Sequence, residues 1–306
     1  MRKFLSLLLT MAMVLSLAVT VNAAAPKEDI TILHTNDVHC DYEKYAKVAT
    51  LHKSADLLVD AGDHVQGGVI GTLSKGEYIV DIMNYLKYDA AVPGNHEFDY
   101  RAKGLASMLQ AAAGKGPQLL SANIDWEKTL KDGSLKDDAK VLKEACDAYG
   151  VKDYTVLDHD GVKMAVFGLL GESAVEYAPE SGLIFKNAQQ TAKNVVNEIK
   201  DKEDVDLIVC ISHCGTIENE ADKLEESEDY QLAENVPDID LIVSGHSHTT
   251  LDEPVQVGDT YLVSCGSYNT NMGHVVLKKD GDRYKIKDYE LVPLDESVKG
   301  DASVEA

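Results

Sequence analysis

Leu57-Leu58-Val59-Asp60-Ala61-Gly62-Asp63 is the stretch on which the fold turns. A short apolar run reads as a strand, and it stops at a small-residue turn that carries a carboxylate. The same plan recurs along the chain. Ile30–Leu33 ends at His34-Thr35-Asn36-Asp37, and Ala90–Val92 at Pro93-Gly94-Asn95-His96. Asp206–Ile211 ends at Ser212-His213, and Ile239–Val243 at Ser244-Gly245-His246-Ser247-His248. Between these runs Tyr42–Ser54, Glu77–Leu86, Arg101–Ala113 and Ala188–Lys200 have helical spacing, and Leu119–Ala122 adds a strand. Strands alternating with helices predict βαβ crossovers and a largely parallel α/β core. Tyr154–His159 and Val162–Leu169 flank Asp160-Gly161 and predict a hairpin. Residues 126–150 read as a polar, helical surface insertion, and the acid-rich Glu218–Tyr230 as a solvated face. Leu262–Cys265, His274–Lys279 and Tyr284–Leu291 read as closing antiparallel strands.

The chain has 306 residues, 44% hydrophobic and 26% charged, which suits a packed core and argues against global disorder. Asp and Glu number 52 against 29 Lys and Arg, a formal net charge of −23. That field repels a nucleic-acid polymer and an anionic membrane surface, so neither is expected as a partner. It still admits a small phosphate ester where bound cations reverse the sign locally. Arg2 and Lys3 precede an apolar run from Phe4 to Val21 and the small residues Ala23-Ala24-Ala25. This pattern predicts a secretory signal peptide over residues 1–23 and a secreted protein, periplasmic or extracellular, without a stable membrane anchor. An uncleaved anchor helix is the alternative, since the run approaches a spanning length. Cys40, Cys146, Cys210, Cys214 and Cys265 are too few for a disulfide scaffold and read as small buried residues. A Cys40–Cys214 bridge is the other reading.

Asp37 and His39, Asp63, Asn95 and His96, His213, and His246 and His248 all fall at strand ends. In an open α/β sheet the ligand binds outside the carboxyl ends of the strands, where such segments meet. Carboxylates, imidazoles and one amide oxygen gathered there suit divalent ions such as Zn or Mn. Spacing of two within Asp37/His39 and within His246/His248 lets one extended turn offer two ligands from the same side. Each fragment alone is an ordinary polar turn. Five in register are not, because burying so many polar groups without a cation is expensive. Gly-x-Ser-x-Gly, the phosphate-binding P-loop and His-Glu-x-x-His are all absent from the sequence.

The series His34-Thr35-Asn36-Asp37-Val38-His39, Gly62-Asp63-His64-Val65-Gln66-Gly67, Gly94-Asn95-His96-Glu97-Phe98-Asp99-Tyr100 and Gly245-His246-Ser247-His248 resembles the 5′-nucleotidase family of calcineurin-like metallophosphatases. The resemblance covers residues 29–292 and implies a four-layer α-β-β-α metallophosphatase sandwich as the catalytic domain. Residues 293–306 resemble the linker to a second domain, which the reading takes as absent. Two divalent metal ions, Zn or Mn, are implied. Asp37, His39, Asp63 and His248 would hold one, and Asp63, Asn95, His213 and His246 the other, with Asp63 bridging. His96 and Asp99 are implied as the catalytic pair, with Asn95 and His96 touching substrate. A hydroxide bridging the metals would attack the phosphorus in line, and His96, oriented by Asp99, would protonate the leaving alkoxide. Cys40 stands where the family usually has Gly, and His64 where it often has a small residue; His64 reads as a group behind the ligands or on the surface. Asn123 reads as ordering a loop. The implied substrates are phosphate esters, 5′-nucleotides first. The rival reading is a secreted metal-containing binding protein, or a truncated, weakly active remnant of a two-domain nucleotidase.

Overall fold

The computed structural model describes residues 27–217 and 221–305, so the expected signal peptide lies outside the described residues. Strands run β1 Asp29–Thr35, β2 Leu57–Asp60, β3 Ala90–Ala91, β4 Gln118–Leu119, β5 Tyr154–His159, β6 Val162–Leu170, β7 Leu207–His213, β8 Leu241–Ser244, β9 Val255–Val257, β10 Thr260–Val263, β11 Asn271–Asp280 and β12 Arg283–Pro293. Helices are α1 Tyr45–His52, α2 Gly68–Ser74, α3 Glu77–Leu86, α4 Arg101–Ala112, α5 Trp126–Asp132, α6 Lys136–Tyr149, α7 Glu172–Glu176, α8 Ala188–Lys202, α9 Glu228–Asn235 and α10 Ala302–Glu305. One sheet has the order β12-β11-β1-β2-β3-β4 and the other β5-β6-β7-β8-β10-β9.

Three apolar layers hold four layers of structure together. Ile32, Val59, Val166, Val209 and Val243 fill the space between the sheets. Leu33, Leu58, Met83, Leu105 and Leu142 join the first sheet to its helices, and Phe167, Val196, Ile199 and Ile242 join the second to α8 and α9. Alternate residues of one strand thus enter different layers, as the pleat requires. The expected α-β-β-α sandwich is what the chain forms.

Two expectations change. β10 lies parallel to β8 and antiparallel only to β9, because Val255–Val257 and Thr260–Val263 make a hairpin that reverses the chain before it reaches β8. Residues 126–150 form α5 and α6, and α6 buries Ala139, Leu142, Ala145 and Cys146 in the first outer core. A polar face hid an apolar stripe. The stretch from residue 294 folds back along α1: Leu294 is buried, Asp301 N–H donates to the Ala46 carbonyl at 2.8 Å, and Thr50 Oγ1 donates to Lys299 O at 2.8 Å.

Register at the amino ends of the parallel strands is pinned by aspartates. Asp56, Asp89, Asp206 and Asp240 each immediately precede a strand or the first apolar residue of one. Each accepts, through its side chain, an N–H of the neighbouring strand: Thr31 and Leu58 at 2.8 Å, Lys163 at 3.1 Å, Ile208 at 2.8 Å. Each also donates its own N–H to that same residue's carbonyl. The resulting two-bond ring satisfies backbone groups that a ladder leaves open at its first rung.

Candidate metal centre

The carboxyl ends of β1, β2 and β3 from one sheet meet those of β7 and β8 from the other. The loops are stitched to each other by backbone. Asp37 N–H donates to Gly62 O at 3.0 Å, His39 N–H to Asp63 O at 2.9 Å, and Gly245 N–H to Ser212 O at 2.9 Å. His246 N–H reaches both Asp37 carboxylate oxygens at 3.0 Å, which joins the two sheets, and His96 N–H reaches Asp63 Oδ1 at 2.8 Å. The turns are not extended, as the two-residue spacing predicts. Asp37, His39, Asp63, His246 and His248 all have positive φ, between 47° and 75°. Left-handed backbone is most accessible to Asp, Asn and His among residues with a side chain, and its concentration here stores strain at one place. Gly94 is required by space: a Cβ there would lie 2.2 Å from Asp63 Oδ1.

All seven residues expected as ligands converge. Ligand atoms of Asp37, His39 and His248 lie within 4.8 Å of one another, as do those of Asp37, Asp63 and His213. Asn95 Oδ1 is 3.2 Å from His213 Nε2 and 3.0 Å from His246 Nδ1. The His39 and His248 Nε2 atoms face each other at 2.9 Å. Two ring nitrogens so placed call for a shared proton or a shared cation. Backbone carbonyls fix the rings: Ala61 O takes His213 Nδ1 at 2.6 Å and Gln66 O takes His39 Nδ1 at 3.3 Å, leaving each Nε2 aimed inward. A second hydrogen bond that orients the donor is the usual support of a metal-binding imidazole.

The electrostatics fit a cation. Burial, with Asp63 beside it, pushes the Asp37 carboxyl up to about 7 despite His213. Burial and the His213 charge bring His246 down to about 4, and burial also lowers His39 and His248, so these rings present lone pairs. Against the pull of burial, His213 draws Asp63 below the usual carboxylate range and is itself raised to about 10 by it. His96 stands at the rim, with Nδ1 2.9 Å from Asp99 Oδ2, and that bond raises its pKa. His96 also lies within ligand distance of His39 and Asp63.

A calcineurin-like phosphoesterase model matches residues 30–250. The chain belongs to that family. The trifunctional nucleotide phosphoesterase YfkN of Bacillus subtilis is 32% identical over 281 residues, 83% of this chain and 18% of that one. Human 5′-nucleotidase is 31% identical over 264 residues, 78% of this chain and 41% of that one. The chain therefore spans less than half the length of either relative. Among solved structures, a 5′-nucleotidase precursor from Thermus thermophilus superposes with a TM-score of 0.71 at 23% identity, covering 90% of this chain and 57% of that one. That likeness is one of fold.

In this chain the loops rest on buried groups that the sequence reading gave no role or left on the surface. Glu97 accepts the N–H groups of His64 and Val65 at 3.0 Å, of Asp63 at 2.9 Å, and of Gly94. Asp229, fully buried, accepts from Ser212 Oγ and Ser244 Oγ at 2.5 Å and from Gly215 N–H at 3.1 Å. It ties the end of β7 to the end of β8, so the acidic stretch is not merely a solvated face. His64 is buried, not superficial. Its Nδ1 is 2.9 Å from Asp60 Oδ1, and despite burial Glu97 and Asp60 hold it up at about 9. Asn123 orders its loop as expected, donating to Leu170 O and Lys186 O and accepting from Leu170 N–H. Cys40 and Cys214 form no bridge; all five cysteines are free and buried. No helix among the described residues is long and apolar enough to cross a membrane.

Proposed function

We propose that this chain is a secreted, dinuclear metal-dependent phosphoesterase that hydrolyses nucleotide-like phosphate monoesters. The observation that carries the reading is the convergence of two carboxylates, four imidazoles and one amide oxygen at facing sheet ends, with a His–Asp pair at the rim. Asp37, His39, Asp63 and His248 would hold one ion, and Asp63, Asn95, His213 and His246 the other. Bound there, divalent cations such as Zn or Mn would neutralise phosphoryl oxygens and acidify water. The chain's own residues do the rest. Asn95 and His96 face the cavity where the ester enters. His96, whose pKa the bond to Asp99 raises, delivers a proton to the departing oxygen, and that bond at Nδ1 orients the ring. The nucleotide assignment draws on the names of the two relatives. The test is hydrolysis of 5′-AMP and an aryl phosphate by Mn- or Zn-loaded protein. Turnover that is lost in His96→Ala, with metal content retained, is expected; an inactive wild type carrying its metals would refute the assignment.

A further inference from the structure

We propose that the cavity beside His246 is a leaving-group site for an uncharged, ring-bearing substituent, with Tyr177 as its stacking face. This rests on the phosphoesterase reading and narrows its substrate to esters that carry one phosphate on a group such as a nucleoside. The cavity, about 500 Å³, is lined by Asn95, His96 and His246 and also by Tyr177 and Ile217. That volume suits a small-molecule site.

The placement of Tyr177 is built, not incidental. Glu228 accepts the N–H groups of Glu172 and Ser173 at 2.8 Å and so anchors the first turn of α7. Ser173 Oγ lies 3.2 Å from His246 Nε2. Tyr177 follows Ser173 by four residues, one helical turn, and so shares its face. Its ring centroid is 5.8 Å from that of His246, yet the residue is 70% exposed. Ile217 beside the cavity is 41% exposed. These two large side chains leave apolar surface open on the wall of an otherwise polar cavity, where a ring can lie against it.

Charge selects the occupant. Among the described residues that line the cavity none is Lys or Arg, whereas Glu226 and Glu228 both line it. A leaving group with further phosphates meets those two carboxylates, with no Lys or Arg among the described lining residues to balance it. A neutral nucleoside meets an aromatic face, and a bare sugar leaves that face uncovered.

The experiment compares kcat/KM for AMP, ADP and ribose 5-phosphate on the Mn-loaded chain, with saturation-transfer NMR of adenosine as a readout that involves no phosphate. Wild type should prefer AMP to both other esters and saturate the adenine protons. Tyr177→Ala should cut the AMP to ribose 5-phosphate ratio about tenfold, through KM, and abolish the adenosine signal; Tyr177→Phe should restore both. An unchanged ratio in Tyr177→Ala, an undiminished adenosine signal, or ADP turned over as well as AMP would overturn the site and leave the phosphoesterase reading standing. Failure of the wild type on all three esters would overturn both.

Discussion

Replacing Glu97 by Gln tests whether one buried carboxylate holds the β2 loop, and with it Asp63. Glu97 is 2% exposed, and its two oxygens take four backbone N–H groups, from Asp63, His64, Val65 and Gly94. A glutamine keeps one oxygen and turns an NH₂ group toward the other pair, so two buried donors lose their acceptor. At about 1–3 kcal/mol for each, the loss is about 2–6 kcal/mol. Urea unfolding in EDTA and again in saturating Mn measures it. With an m-value of about 2 kcal/mol per molar, a 4 kcal/mol loss moves the midpoint down by about 2 M at constant m. The Mn affinity should fall as well, because His96 N–H and the β1 loop both bond to Asp63 in the geometry that Glu97 fixes. A midpoint shift of about 0.3 M or less, with Mn binding intact, would refute the reasoning.

Other perturbations follow from the same contacts. Asp99→Ala removes the bond that raises His96, so kcat should drop about 10²–10⁴-fold with metal content unchanged, which elemental analysis beside steady-state kinetics would show. His34 is fully buried between the sheets, neither ring nitrogen has a hydrogen-bond partner among the described residues, and burial lowers its pKa to about 3 from 6.5. Its neutral form therefore contributes stability above about pH 6.5 that is lost as pH falls toward 3, at about 1.4 kcal/mol per pH unit; His34→Leu should unfold less steeply in acid. Asp89→Ala should cost about 1–3 kcal/mol in a urea melt by stripping Leu58 N–H of its acceptor, while Asp89→Asn, which keeps an oxygen there, should cost less than half of that. Excess dithiothreitol should leave the melting temperature unchanged, since every cysteine is a free thiol.

What the sequence made legible follows its periodicity. β1, β2, β7 and β8 are apolar runs with a sharp polar stop, and α3 falls on Glu77–Leu86 as its spacing predicts. The convergence of the seven candidate ligands was legible for the same reason, because each sits at such a stop. β10 was misjudged because strand direction is set by what a connection does in space, and a nine-residue hairpin leaves little mark in composition. The apolar stripe of α6 was diluted by the charges around it. Backbone sign was invisible too: Asp37-x-His39 and His246-x-His248 fit an extended turn or a left-handed one equally well on paper. In the left-handed turns observed, His246 N–H reaches the Asp37 carboxylate across the two sheets, a contact no spacing rule contains.

The acidic composition conceals a division of labour that charge counting merges. Asp56, Asp89, Asp206 and Asp240 stand at the bottom of the sheets, each directly before an apolar run, in Asp-Leu-Leu-Val, Asp-Ala-Ala-Val and Asp-Leu-Ile-Val twice. Glu97 and Asp229 stand at the top, taking N–H groups and hydroxyls from loops whose left-handed turns give them no ladder partners. A carboxylate suits that task better than an amide, because both of its oxygens accept and neither donates. Its charge is also compensated locally, by His64 for Glu97 and by hydrogen bonds and the His213 charge for Asp229, whose pKa burial nevertheless raises. The acids that build the loops are therefore distinct from Asp37 and Asp63, which the loops present. Neutralising the builders should loosen the geometry of the centre, so metal affinity and urea stability should fall together, whereas neutralising Asp37 should lower affinity while relieving the folded chain of a buried carboxylate beside Asp63, whose own charge His213 balances.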